Sequence, residues 1–162
     1  VVRQATELGV HRLVGYRSKR GQYGLSNAQV EKRSGRWQKI AREAMCQCDR
    51  MKVPEIGFVQ DLSQFISAKR NDGSKGKRLK LLASEGESRC SVFDVWQAFP
   101  DCDEVVAVIG PEGGWAVEEV QEFEANGFQT VHLGPRILRL ETAAIAFVAM
   151  VQMLWGDLST RV

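Results

Sequence analysis

The sequence predicts an α/β fold with a mostly parallel sheet flanked by helices, and three patterns carry that prediction. Short apolar runs of buried-strand type recur at Leu79–Ala83, Glu104–Ile109 and Thr130–Leu133, as expected of strands covered on both faces. An amphipathic stretch separates the last two, and helical periodicity flanks the set. Each run then ends in a loop of unusual composition, where ligands bind in open parallel sheets. At 162 residues, 44% apolar and 26% charged, the chain has the size of one domain. That composition excludes a collagen-like chain, a disulfide scaffold and a long disordered tail.

The elements follow in order. Val1, Val2, Ala5 and Leu8 lie at helical spacing, and Gly9 is a natural residue to end that helix. Arg12–Tyr16 reads as a strand, and residues 17–24 as a basic loop punctuated by glycine. A long helix is expected from Ser26. Its apolar face is Trp37, Ile40, Ala41, Ala44, Met45 and Cys48, and Lys32, Arg33, Arg36, Lys39 and Arg42 lie on the other. Pro54–Val59 is a short extended piece, and Asp61–Gln64 looks like a capping box opening a helix through Phe65 and Ile66. Asn71–Lys77 is an exposed connector. Beyond the first two apolar runs, a helix over Ala116–Ala125 ends at Asn126-Gly127. The chain closes on an apolar helix, Glu141–Trp155, which needs a large covering surface in the core or across a two-fold interface.

Net charge of +2 conceals a division. Residues 1–80 hold 18 Lys and Arg against 7 Asp and Glu, a balance of +11, whereas residues 81–162 hold 4 against 13, a balance of −9. Such asymmetry suggests a polyanion partner for the basic half. Metal chemistry is not expected. The four cysteines form no C-x-x-C, Cys46 and Cys48 point to different faces of a helix, and His11 and His132 are isolated. The default is reduced thiols in a reducing compartment. The longest apolar run, Ala143–Met153, is too short to span a bilayer, and no secretory signal is present. The chain opens on Val1-Val2-Arg3 without Met, so residues are expected to precede it.

Three strand-end loops are the candidate site: Ser84-Glu85-Gly86, Gly110-Pro111-Glu112-Gly113-Gly114, and Gly134-Pro135-Arg136-Ile137-Leu138-Arg139. Glycine permits close backbone approach and proline stiffens the turns, so these loops can present N–H and C=O groups to a small molecule. Neither G-x-G-x-x-G, G-x-x-x-x-G-K-[ST] nor G-x-S-x-G occurs, which weighs against classical dehydrogenases, P-loop NTPases and hydrolases.

These loops in this order resemble the SPOUT superfamily of knotted methyltransferases, and more narrowly the RsmE family of 16S rRNA uracil-N3-methyltransferases. The matching segments are Ala5–Val10, Arg36–Ala44 with Gln47 and Arg50, Val53-Pro54, Ile109–Gly114 and Leu133–Ala143. The resemblance implies a C-terminal deep trefoil knot, a homodimer, and S-adenosylmethionine as cofactor. The cofactor pocket it implies is lined by Ser84, Glu85, Gly110, Pro111, Glu112, Gly113, Gly114, Leu133, Gly134, Ile137, Leu138, Arg139, Thr142 and Ala143. Residues 1–162 would be the methyltransferase domain, lacking its first strand and the N-terminal PUA-like domain usual in the family. Gln4 and Leu140 depart from the family pattern.

Methylating uracil N3 requires loss of its imide proton and a cation near the developing negative oxygens. Arg139 is the candidate cation, with Glu112 or Glu141 as proton acceptor or as the group orienting Arg139. Capping of the last helix is the competing role for Glu141 and Thr142. The rRNA surface is expected at Arg17, Lys19, Arg20 and Arg36, with Arg136 beside the transfer point. The partner is 16S-type rRNA or the small ribosomal subunit, with neither membrane nor metal. The implied compartment is bacterial-type cytoplasm, or an organelle with bacterial-type ribosomes. Rival readings are methylation of tRNA or another rRNA position, and a non-catalytic RNA-binding or ribosome-assembly module.

Overall fold

The computed structural model describes residues 1–18, 20, 26–59, 65, 76–85 and 90–159. In chain order the elements are α1 (Val2–Glu7), β1 (Arg12–Tyr16), α2 (Asn27–Gln47), β2 (Glu55–Val59), β3 (Arg78–Ala83), α3 (Val92–Ala98), β4 (Glu104–Ile109), α4 (Val117–Ala125), β5 (Gln129–Val131) and α5 (Leu140–Leu154). The strands form two parallel sheets, β1-β2 and β4-β3-β5. The α/β expectation therefore holds, with the pairing divided between two sheets among the described residues.

In β3, Leu79 and Leu81 face one side, and Leu82 faces the other because side chains alternate along a strand. The first side packs with Val92 and Val95 of α3, Val131 of β5 and Phe147 of α5. The second packs with Val108 of β4, Phe123 of α4 and Phe128, and Tyr16 from β1 joins that cluster. Burial on both faces is why β3 reads as an apolar run. Lys80 escapes at the rim, its ammonium 2.9 Å from the Asn126 carbonyl and 5.4 Å from the Phe128 ring centre. Truncating Phe123 or Phe147, both fully buried, should cost about 3–5 kcal/mol.

The first layer is tied differently. Ser26 and Gln29 form a capping box at the start of α2, satisfying two otherwise unpaired N–H groups. Val2 and Ala5 of α1 and Ala41 and Ala44 of α2 are buried. The Arg50 guanidinium then donates to the carbonyls of Thr6 (2.7 Å), Val10 (3.0 Å) and Gly9 (3.2 Å). Gln152 of α5 donates to the Leu8 carbonyl. Gly9 has φ +86°, as its predicted place after the helix requires.

Three expectations shift. Helix α3 has no counterpart in the periodicity reading, although Ser91 and Asp94 form its capping box. Hydrogen bonds from the Ser91 backbone N–H, and then from its hydroxyl, hold the Asp94 carboxyl below the usual carboxylate range. Strand β5 ends at Val131, leaving Leu133 outside it, and His132 bridges to Ser91. Helix α5 begins at Leu140, one residue early. The Asp61–Gln64 capping box and Ile66 lie outside the described residues. None of the four cysteines forms a disulfide among the described residues. No helix among the described residues is long and apolar enough to cross a membrane.

Candidate functional site

The parallel register sets Ala83 opposite both Ile109 and Val131. The chain therefore leaves β3, β4 and β5 at one edge, and the three predicted loops start side by side. Two hydrogen bonds fasten them: the Ser84 N–H donates to the Val131 carbonyl at 3.0 Å, and the Trp115 indole N–H donates to the Ala83 carbonyl at 2.7 Å. The second folds the loop after β4 back onto the end of β3. Gly110 allows this, since a Cβ there would stand 2.9 Å from the indole nitrogen.

The loop itself is a tight turn in which Gly114 N–H donates to the Pro111 carbonyl at 2.9 Å, with Gly114 at φ +68°. Across the edge, Gly134 has φ +103° and its N–H donates to His132 Nδ1 at 3.2 Å. Positive φ at these two positions favours glycine. Among the described residues, no heavy atom lies within 4 Å of where a Cβ on Gly114 or Gly134 would be. Backbone beside open space suits a small polar ligand.

A further set of contacts reaches β1. The Tyr16 and Trp115 rings lie nearly parallel, 10° apart with centres at 5.9 Å, and Phe123 meets Trp115 edge-on at 5.2 Å. Glu119 is buried and accepts from the Ala116 N–H at 3.0 Å, capping α4. The Tyr16 hydroxyl is buried with no hydrogen-bond partner among the described residues. Burial, and then the Glu119 charge, push its pKa upward. Arg20 donates to the Gly113 carbonyl at 3.4 Å.

Sequence reasoning missed Tyr16, Trp115 and His132 as neighbours of the site. Trp115 was detectable, being the aromatic that directly follows Gly110–Gly114.

The remaining candidates divide. Ser84, Pro111, Leu133, Leu138 and Ala143 are half-buried at or near the edge, while Glu85, Glu112, Gly113 and Thr142 are exposed. Arg139 is the exposed N-cap of α5, and Glu141 lies in its first turn. No hydrogen bond or ion pair joins Arg139 to Glu112 or Glu141 among the described residues, and neither Glu141 nor Thr142 supplies a side-chain cap. Ile137 is 81% exposed, unusual for a large apolar side chain within a site. Arg17, Arg20, Arg36 and Arg136 are exposed, and Lys19 and Gly86 lie outside the described residues. No group of three or more His, Cys, Asp or Glu that could hold a metal occurs among the described residues. Leu133 and Gly134 also line an open cavity of about 380 Å³, together with Phe93, His132, Met150 and Leu154.

Residues 1–152 match the RNA methyltransferase domain family. The chain belongs to that family. This RNA methyltransferase domain is 30% identical over 162 residues to the ribosomal RNA small subunit methyltransferase E of Bacillus subtilis, covering 97% of this chain and 62% of that protein. The same-named protein of Mycobacterium bovis is 29% identical, covering 93% of this chain and 56% of its own length. Among solved structures, the ribosomal RNA small subunit methyltransferase E of Neisseria gonorrhoeae bound to S-adenosylmethionine superposes with a TM-score of 0.83 at 34% identity, covering 96% of this chain and 61% of that one. A putative methyltransferase of Legionella pneumophila, also in complex with S-adenosylmethionine, gives 0.78 at 31%, covering 93% and 58%. The chain thus spans less than two thirds of these relatives.

Proposed function

We propose that the chain is the methyltransferase domain of an S-adenosylmethionine-dependent enzyme that methylates N3 of a uracil in 16S rRNA. One observation carries this reading: a shared register brings Ser84, Gly110–Gly114 and the segment from Leu133 to one sheet edge. These are the loops that the family resemblance implies for the cofactor. The edge fits such a group, because backbone at Gly114 and Gly134, with no heavy atom of the described residues beside it, can meet its polar atoms. Ser84, Gly110 and Gly134 would hold it, and Ile137 would be covered by it.

When bound, the cofactor supplies an electrophilic methyl group on a sulfonium. The chain's residues do the rest. Arg139, exposed and free of carboxylate partners among the described residues, stabilises the negative charge that grows on the uracil oxygens as N3 loses its proton. Glu112 or Glu141, both exposed, takes that proton directly or through water. The base is presented unpaired, since its Watson–Crick edge must be free. Arg17, Lys19, Arg20, Arg36 and Arg136 would contact the rRNA backbone.

The apolar face around Phe93 (50% exposed), Met150 and Met153 (58% exposed) supports a homodimer, with a second copy covering the α3–α5 side. The trefoil knot implied by the resemblance belongs to the same C-terminal part, and bacterial cytoplasm is the matching compartment. The test is to incubate the chain and labelled S-adenosylmethionine with unmethylated small ribosomal subunits and map the modified base. Transfer to uracil N3 supports the reading; no transfer, or transfer to another position, overturns it.

A further inference from the structure

Two contacts join the end of β1 and the basic segment after it to the loop after β4. Tyr16, the last residue of β1, stacks on Trp115 with ring centres 5.9 Å apart. Four positions later Arg20 donates to the Gly113 carbonyl at 3.4 Å, and Arg20's own carbonyl lies 3.2 Å from where a Gly113 Cβ would stand. Ser18, between them, is buried.

Trp115 is itself held on three sides: by its bond to Ala83, by Gly110 and by the edge of Phe123. A close-packed indole with a directional N–H···O bond cannot slide by degrees. The turn from Pro111 to Gly114 is covalently continuous with that indole, so displacing the turn displaces Trp115 and opens its stack on Tyr16. Ligand-facing backbone and basic segment thus form one mechanical unit.

Resting on the function proposed above, we infer that Trp115 is a positioning residue that couples the Arg17–Arg20 segment to the Gly110–Gly114 loop, so that RNA on the first and methyl donor on the second tighten each other's binding. The first ligand to bind fixes the shared unit, and the second meets it already ordered. Linkage makes the effect reciprocal.

Equilibrium dialysis of labelled S-adenosylhomocysteine, with and without saturating unmethylated small ribosomal subunits, reads the coupling as a ratio of Kd values. The expected ratio for the unsubstituted chain is at least about fivefold, the lower end of typical coupling between sites. Trp115→Leu should bring the ratio to near one while S-adenosylhomocysteine still binds, and Trp115→Phe, which keeps a ring on Tyr16 but loses the bond to Ala83, should restore part of it. Arg20→Ala breaks the second contact at an exposed position and should lower the ratio without touching the fold. It decides the matter alone where Trp115→Leu does not fold. A ratio of one in the unsubstituted chain, or a ratio unmoved by Arg20→Ala, overturns the coupling. Failure of either ligand to bind the unsubstituted chain overturns the proposed function instead.

Discussion

Arg50 reaches back across the first layer and donates to the Thr6 carbonyl at 2.7 Å. The residues stand 44 positions apart, and the same guanidinium also serves Val10 and Gly9. The end of a short helix leaves carbonyls unpaired, and α1 has only six residues. One forked cation therefore supplies donors to carbonyls at and just beyond that helix end. Arg50→Ala should lower stability by about 2 kcal/mol, the scale of losing hydrogen bonds to a charged donor. Arg50→Lys should recover only part of it, because an ammonium cannot match the planar fork. Urea denaturation of the three proteins checks this, and equal midpoints for the unsubstituted chain and Arg50→Lys would show that charge alone suffices.

Tyr16 presents the opposite case, a buried hydroxyl with no hydrogen-bond partner among the described residues. Removing an unsatisfied buried hydroxyl while keeping its ring is favourable, so Tyr16→Phe should stabilise the chain by about 1 kcal/mol at neutral pH. The alkaline side follows from the raised pKa. Above pH ~10 the unfolded chain ionises at this tyrosine while the folded chain resists doing so. The unsubstituted protein should thus lose stability as pH climbs past that value. Tyr16→Phe should lose less across the same window. Parallel stability curves from about pH 9 to 11 would contradict the burial of this hydroxyl.

What was legible in sequence follows from local physics. Strand β3 is covered on both faces, so burial wrote itself as a continuous apolar run, and the loops at its edge carry glycines because Gly114 and Gly134 take positive φ and Gly110 must admit the Trp115 indole. Helix α3 was less legible. It spans seven residues, with Val92 and Val95 buried but Phe93 exposed, too short a stretch for a period to emerge. The stack of Tyr16 on Trp115 joins residues 16 and 115, and no local pattern encodes that. It exists only because β1 and the three-stranded sheet share a cluster. Nearness in sequence to Glu141 likewise does not fix the direction of Arg139, an exposed guanidinium.

Asp94 controls the start of α3. Its carboxyl accepts from the Ser91 N–H and hydroxyl, both at 2.7 Å, and these bonds favour the charged form. With a lowered folded pKa, the unfolded chain takes up protons first on acidification. The contribution is therefore present above the ordinary aspartate range and lost as pH falls through the folded value. Asp94→Asn should lower stability above that range and flatten the acid limb of the stability curve. An unchanged acid limb would place the proton uptake elsewhere.

The division of charge bears on binding in a way salt can resolve. If the basic half, +11 over residues 1–80, meets RNA phosphates, raising salt reduces the gain from counterion release and should weaken RNA binding steeply. Binding of S-adenosylhomocysteine should change little if, as proposed, backbone of the acidic half holds it. Filter binding and calorimetry across a salt series separate the two, and equal slopes would sink the assignment of separate surfaces.

Arg139 carries the sharpest chemical consequence of the proposed function. It stands at the N-cap of α5 without supplying a cap bond, so its removal should leave the helix intact. Stabilisation confined to the transition state lowers turnover and leaves ground-state binding in place. Arg139→Ala should thus reduce methyl transfer by about 100-fold or more, the scale of losing one such donor. Cofactor affinity should stay within about tenfold, or ~1.4 kcal/mol. Arg139→Lys should restore less than a tenth of the activity if the two uracil oxygens need the guanidinium fork rather than a point charge. Full turnover by Arg139→Ala would remove this residue from the chemistry and leave Arg136 as the cation beside the base.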